Sequence, residues 1–232
     1  MCRFYEDNYY PQNVVDINGK PMIEHVIENY AMLEDVRYTV CLFREECDKF
    51  HTDKIVSVLT GGNCNIIKQE NMTGGALCTA LLTVDYVGTD DELIITNSDQ
   101  IITMGINEAV ASFRKESRDC GVITFKSVHP RWSYARVDSE NNVVEVAEKH
   151  PLSNHAIAGF YYFAHGSDFI EAAKDSLRKR ETYEGRYFIS SAINEIILEN
   201  KSVGYYEIPV ENYRSFYSPE KIAEFHRGLG TK

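Results

Sequence analysis

The stretch LIITNSDQII, residues 93–102, decides how this chain of 232 residues is to be read. An apolar strand (ELIIT, 92–96) runs into Asn97, Ser98 and Asp99. In open α/β sheets, ligands bind beyond the carboxyl ends of strands, near the point where strand order reverses. A carboxylate there can hold Mg²⁺, a hard cation that takes oxygen ligands and bridges phosphates. The simpler role for Asp99 is to cap the segment that follows. Local residue types leave both roles open.

Working outward, Pro21 opens a helix in which Ile23, Val26, Ile27, Tyr30 and Leu33 recur at helical spacing. RYTVCLF (37–43) is a strand, 45–59 a polar helix ending near Gly61-Gly62, and CNIIK (64–68) a short strand. GALCTALLTV (75–84) suits a buried helix, and 106–116 a further one. Strands alternating with helices at short intervals argue an α/β fold with a parallel sheet and crossovers. The pattern then changes. CGVITFKS (120–127), YARVDSENNVVEVAEK (134–149) and HAIAGFYYFA (155–164) are strand-like, with Asn141-Asn142 at a hairpin turn. Helices are expected over 168–179 and 188–199, a strand over 202–208, and a last helix after Pro219. No linker, repeat or low-complexity run interrupts the chain. Residues 1–232 therefore read as a single domain, doubly wound in its first half and mixed in its second.

The totals agree with a soluble globular protein: 44% hydrophobic, 25% charged and 12% aromatic residues supply a core and too little disorder-promoting material to prevent one. The formal net charge of −11 repels nucleic-acid backbones and anionic membranes, so neither partner is expected. A nucleotide remains compatible, because a pocket needs only local positive charge. Six cysteines (Cys2, Cys41, Cys47, Cys64, Cys78 and Cys120) form no CxxC pair and mostly sit in apolar runs, which suits buried free thiols in a reducing, cytoplasmic compartment. No apolar run approaches bilayer-spanning length, and no signal peptide is evident.

Two further segments can carry chemistry. In KQENMTGGALCTALL (68–82) a polar loop meets a glycine pair and then a helix. Glycines let a ligand ring approach the backbone, Gln69 or Glu70 can hydrogen-bond a base edge, and a helix N-terminus favours anions. A flexible turn before a helix explains the same residues. In VVEVAEKHPLSNHAIAGFYYF (143–163), Glu148 and Lys149 end one strand and Gly159 interrupts the next. A Lys at a strand end can neutralise phosphate and a Glu can accept from sugar hydroxyls; a solvated hairpin end is the cheaper explanation. The seven histidines are scattered without zinc-ligand spacing, and there is no GxSxG elbow or GxxxxGK[ST] loop. Trp132, beside Ser133 and Tyr134, suits core packing more than ring stacking.

In order along the chain, these segments resemble the sugar-phosphate nucleotidylyltransferases, with the closest likeness to the branch found in bacterial capsule and surface-polysaccharide biosynthesis. DINGKPMIEHVIEN (16–29) resembles the segment after the family's first loop, TGGALCTALL (73–82) its base-binding loop and helix, and IITNSDQII (94–102) its metal-binding strand end. VITFKSVHPRWSYARVD (122–138), VVEVAEKHPLSNHAIAGFYYF and SPEKIAEF (218–225) follow in the expected order. The resemblance implies a Rossmann-like three-layer fold with a mixed central sheet. It implies a reaction in which a sugar-1-phosphate oxygen attacks the α-phosphorus of an NTP and pyrophosphate leaves, with Mg²⁺ assisting. Carried over by motif, Asp99 would bind Mg²⁺, and Asn97 and Gln12 would belong to the substrate-binding set. Glu70 and Gly75 would face the base, Glu148 would meet the sugar, Lys149 its phosphate, and Arg3 the triphosphate. Gly159 keeps its place in the sugar segment. The charge at position 70 hints at a donor-rich base edge such as that of cytosine.

The chain also departs from that pattern. The family opens with an apolar strand feeding a Gly-rich loop, and here only Arg3 and Phe4 remain, so the first central strand is expected to be absent or replaced. Gln12 stands where the family places a phosphate-facing Lys, and Ser215 where some members keep a second metal-binding Asp. Two alternatives follow. One is a non-catalytic or truncated relative that binds nucleotide or sugar phosphate. The other is a glycosyltransferase using a finished nucleotide-sugar, against which NSDQ offers fewer carboxylates than a D-x-D pair.

Overall fold

A computed structural model describes residues 10–218 and 220–223. Arg3 and the expected loss of the first strand lie outside the described residues. In chain order the elements are β1 (Asp16–Ile17), β2 (Lys20–Pro21), α1 (Met22–Glu28), β3 (Tyr38–Phe43), α2 (Arg44–Phe50), α3 (Thr52–Leu59) and β4 (Cys64–Gln69). They continue with α4 (Ala76–Leu81), β5 (Leu93–Thr96), β6 (Gln100–Ile102), α5 (Ile106–Lys115), β7 (Cys120–Lys126), β8 (Ser133–Val137), β9 (Val143–Glu148) and β10 (His155–Phe163). Last come α6 (Gly166–Lys179), α7 (Ile189–Leu198), β11 (Val203–Glu207) and β12 (Tyr213–Ser215). Contacts divide the chain into two compact units.

The first unit comprises the described residues of Met1–Asn71, Asn97–Thr103 and Glu211–Lys232. Here β3 and β4 pair in parallel, in register from Tyr38–Cys64 to Phe43–Gln69. β6 and β12 form an antiparallel pair with Ser215 opposite Gln100. Pro21 does precede the first helix, whose Met22, Ile23, Val26 and Ile27 are buried. Met22 joins Ile17, Ile101, Phe216 and Ile222 in one apolar cluster. The polar helix expected over 45–59 is two helices. His51 takes a left-handed conformation at φ 55° and breaks the run, and its N–H closes the end of α2 on the Cys47 carbonyl at 3.0 Å.

The second unit, Met72–Thr96 with Met104–Val210, holds a six-stranded sheet in the order β11-β7-β10-β8-β9, with β5 also on β10. The sheet is mixed: β11 runs parallel to β7, and β5, β7 and β8 all run antiparallel to β10. The strand alternation in the sequence suggests a parallel sheet. A local pattern cannot show that β5 finds its partner some sixty residues downstream, at Phe160–Phe163. The middle of β7 is buried on both faces, as a central strand requires. Cys120 and Val122 join a cluster with Phe169, Ala173, Ile189 and Ile193 of α6 and α7. On the opposite face the ring of Phe113, from α5, lies where a side chain on Gly121 would be, 2.6 Å from that Cβ position. Helices thus cover both faces of this sheet, giving three layers within the unit.

Helix periodicity is legible here. Ile106, Ala109, Val110 and Phe113 of α5 are buried at spacings of three and four, as are Ile189, Ala192, Ile193 and Ile196 of α7. By contrast α4 is shorter than the expected 75–84 and buries only Leu77. The hairpin turn falls where expected, with Asn141 at φ 63° between β8 and β9. On the outer strand β9, Asn194 of α7 satisfies both backbone groups of Val146: its Oδ1 accepts from the N–H and its Nδ2 donates to the carbonyl, each at 2.8 Å.

Of the described cysteines, Cys41, Cys47, Cys64, Cys78 and Cys120 form no disulfide, and only Cys47 and Cys120 are buried, the others being partly so. No helix among the described residues is long and apolar enough to cross a membrane.

Candidate active site

In the first unit, the turn after the LIIT strand leads through Asn97 to Asp99 and then into β6. The Phe216 N–H donates to the Asp99 carbonyl at 2.8 Å, and the Gln12 amide donates to the Phe216 carbonyl. Gln12, Asp99 and the Ser215-Phe216 segment, 204 residues from Gln12, are therefore brought together. Ser215 faces Gln100 across the β6–β12 ladder, so this chain presents a hydroxyl-bearing residue one strand over from Asp99. Gln12 is buried, and its amide Nε2 is used within the protein. Asn97 is exposed.

Burial pushes the Asp99 carboxyl above its ordinary value. That desolvated carboxyl suits a nearby cation. Among the described residues no group of three or more His, Cys, Asp or Glu side chains is placed to hold a metal ion. A protein cage is thus not built from them, but Mg²⁺ needs only one or two carboxylates when phosphates and water complete its shell. The residues present fit an ion shared with a phosphorylated ligand.

Glu70 follows β4 in the same unit. It is 64% exposed and ion-paired with Arg44, the first residue of α2 and itself 48% exposed. Gln69, the last residue of β4, is buried opposite Phe43. Sequence reasoning singled out Glu70 and missed Arg44. The pair joins positions 26 residues apart, and only the parallel β3–β4 register brings the start of α2 beside the end of β4.

In the second unit, Gly75 has φ 140° and lies against the 183–188 segment. A Cβ there would come within 2.1 Å of the Tyr187 carbonyl oxygen. The Tyr187 N–H donates to the Gly74 carbonyl at 2.9 Å, and its carbonyl accepts from Leu77 at 3.2 Å. The close approach that demands glycine here is thus made by protein backbone. Gly159 is likewise explained locally: it takes φ 59° inside β10, where the register with β7 shifts between Ile157 and Tyr161.

Glu148 ends β9. Ser133 and Ser190 both donate to its Oε2, Ser190 at 2.9 Å. Tyr161, buried nearby, has its hydroxyl pushed up by burial and by the Glu148 charge. Burial still pushes the Glu148 carboxyl upward against the two hydroxyls and the Lys149 charge. Lys149 itself turns out of the strand at φ 51°, with its N–H on the Trp132 carbonyl at 3.0 Å. Glu148 opens onto a cavity of about 330 Å³, lined also by Glu181, Tyr183, Phe188, Ser190 and Asn194. The solvated hairpin end is thereby replaced by a preset carboxylate with one oxygen held. Ser190, 42 residues away, gave no sequence signal, since a serine on a helix is unremarkable until the helix is docked.

The chain matches the Nucleotidyl transferase family over residues 7–210 and belongs to that family. It is 31% identical over 199 residues to the bifunctional protein GlmU of Methanocaldococcus jannaschii, covering 84% of this chain and 43% of that protein. It is 26% identical to the low-salt glycan biosynthesis nucleotidyltransferase Agl11 of Haloferax volcanii, covering 83% and 53%. The chain thus spans about half the length of these two relatives. The fold is similar to that of a nucleoside-diphosphate-sugar pyrophosphorylase from Vibrio cholerae RC9, with a TM-score of 0.82, 19% identity, and coverage of 95% of this chain and 93% of that one.

Proposed function

We propose that this protein is a nucleotidylyltransferase that joins an NTP to a sugar-1-phosphate or similar small phosphate, releasing pyrophosphate and supplying a nucleotide-sugar for surface-polysaccharide synthesis. The observation that carries this is Glu148. Its Oε2 is saturated by two serine hydroxyls, leaving Oε1 to accept from a ligand's hydroxyls, and a lysine follows it directly. A phosphate-monoester oxygen of the sugar phosphate forms a bond to the α-phosphorus of the NTP. The bond from that phosphorus to the bridging oxygen breaks, and pyrophosphate leaves with the electron pair. Lys149 neutralises the attacking phosphate, and Glu148 fixes the hydroxylated body of the ligand. Arg3 is assigned to the triphosphate, and Glu70 to the edge of the base. Asp99 would hold Mg²⁺, which supplies charge neutralisation of phosphate oxygens when bound. Because Glu70 already accepts from Arg44, the pair offers a base edge both a donor and an acceptor. We place the protein in the cytoplasm, where its nucleotide substrate is held.

The test is pyrophosphate release with each NTP, Mg²⁺ and a panel of sugar-1-phosphates. Release above background that falls about 1000-fold or more in Asp99→Ala supports the enzyme. NTP binding by calorimetry without release supports a binding protein instead, and pyrophosphate-independent transfer from a nucleotide-sugar supports a glycosyltransferase.

A further inference from the structure

The cavity beside Glu148 has a second property, which concerns charge. The Lys149 ammonium lies 5.1 Å from the centroid of the Tyr183 ring and 5.3 Å from that of Phe188. The two rings are 6.4 Å apart and nearly perpendicular at 76°, so they form two walls of a corner that holds one cation. Both rings line the cavity, and its charged lining residues are two acids, Glu148 and Glu181. Burial raises both carboxyls, and the Glu195 charge raises Glu181 further. Arg180, beside Glu181 in sequence, is exposed, and Lys179, whose charge lowers Glu181 in part, has its ammonium on Glu195 at 2.6 Å. Aromatic faces and desolvated carboxylates both attract cations, and together they make a corner suited to an ammonium group. Here the Lys149 ammonium stands in for that group.

We propose that this cavity selects phosphate esters that also carry an ammonium group, with Tyr183, Phe188 and Glu181 receiving the ligand's ammonium in place of that of Lys149. The inference rests on the nucleotidylyltransferase reading above, in which Lys149 turns to the ligand's phosphate. A neutral sugar phosphate would then leave both ring faces without a cation, whereas an amino-sugar or amino-alcohol phosphate fills the corner as Lys149 leaves it, with Glu181 on the same cavity wall. Glu148, with Oε2 already taken by Ser133 and Ser190, keeps Oε1 for a ligand hydroxyl.

The experiment is calorimetric binding to the full chain of matched pairs: glucosamine 1-phosphate against glucose 1-phosphate, and phosphoethanolamine against glycerol 3-phosphate. The expected result is about tenfold tighter binding of the ammonium-bearing member in at least one pair, and the pair with the larger ratio tells sugar from small alcohol. Glu181→Gln and Tyr183→Leu are expected to bring that ratio close to one while changing affinity for the neutral member less than about twofold. Equal affinity within both pairs, preference for the neutral members, no binding of any of the four, or a preference that survives both substitutions overturns the proposal. Pyrophosphate release from the same ligands separates the two readings. Preferential binding without release sinks the enzyme and leaves the cavity's preference standing. Release with equal kcat/KM for both members of each pair does the reverse.

Discussion

Glu70 follows β4 in the first unit and Glu148 ends β9 in the second, and the two carboxylates are balanced in different ways. Glu70 faces solvent and is met by the guanidinium of Arg44, at the head of the next helix on the neighbouring strand. Glu148 is met by two hydroxyls on one oxygen. An exposed ion pair is adjustable: water competes for both partners and salt screens them. A carboxylate fixed by short neutral donors in a desolvated cavity keeps its orientation and much of its charge for something else. The first suits a contact that tolerates variation; the second suits discrimination between ligands.

The difference can be broken at the Glu148 end first. Glu148→Ala is expected to lower kcat/KM for the phosphorylated co-substrate by about 100-fold, the scale of a lost charged hydrogen bond or two, while Glu70→Ala lowers it less than about threefold. Steady-state kinetics at saturating NTP decides this, and similar losses for the two variants would erase the contrast. Next, Ser133→Ala combined with Ser190→Ala removes both donors from Oε2. Urea unfolding is expected to show a loss of about 2 kcal/mol, with each serine's effect larger when the other is absent. Additive and small effects would mean that the hydroxyls do not hold the carboxylate.

A third effect is a pH dependence. Since burial raises the Glu148 carboxyl in the folded state, that state binds a proton more tightly than the unfolded chain does. The associated stability is full below the ordinary glutamate range and is lost as pH rises through the folded value. Glu148→Gln removes that loss, so the variant's stability relative to the wild type should rise as pH increases from the ordinary glutamate range through the raised folded value and then level off. A difference that is flat with pH, followed by chemical denaturation, would contradict the assignment. The smallest effect belongs to the exposed pair. Arg44→Ala, Glu70→Ala and the double variant should shift the unfolding midpoint by less than about 2 °C, and 1 M NaCl should remove the coupling between them. A larger, salt-resistant coupling would put this pair in the same class as Glu148.

The same contrast separates what the sequence could reveal from what it could not. Helix α5, helix α7 and the Asn141 turn were legible because their signals are local: apolar spacing of three and four, and a residue tolerant of left-handed backbone. The strand end at Asp99 was legible as a position, and so was the mixed character of the sheet as implied by the resemblance. The break at His51 was not, because a histidine in a polar helix carries no stop signal. The antiparallel partner of β5 was not, because strand pairing is decided by the sheet as a whole. Glu148 and Lys149 are singled out by type and order. The groups around them, namely Ser133, Ser190, Tyr183 and Phe188, reach them from other parts of the chain. The glycine pair carries a further constraint that the sequence does not announce: at Gly75 the place of a side chain is taken by the backbone of Tyr187.

One feature of the fold bears on how the molecule behaves in company. Strand β9 closes one side of the second unit's sheet, and an outer strand ordinarily offers its backbone to any passing chain. The amide of Asn194 has the same donor and acceptor as a peptide group, and it occupies both groups of Val146. At that point the sheet ends on a side chain that imitates one residue of a neighbouring strand. A second molecule attempting to extend the ladder there would have to displace a satisfied pair of bonds, so a single asparagine guards this stretch of the outer strand.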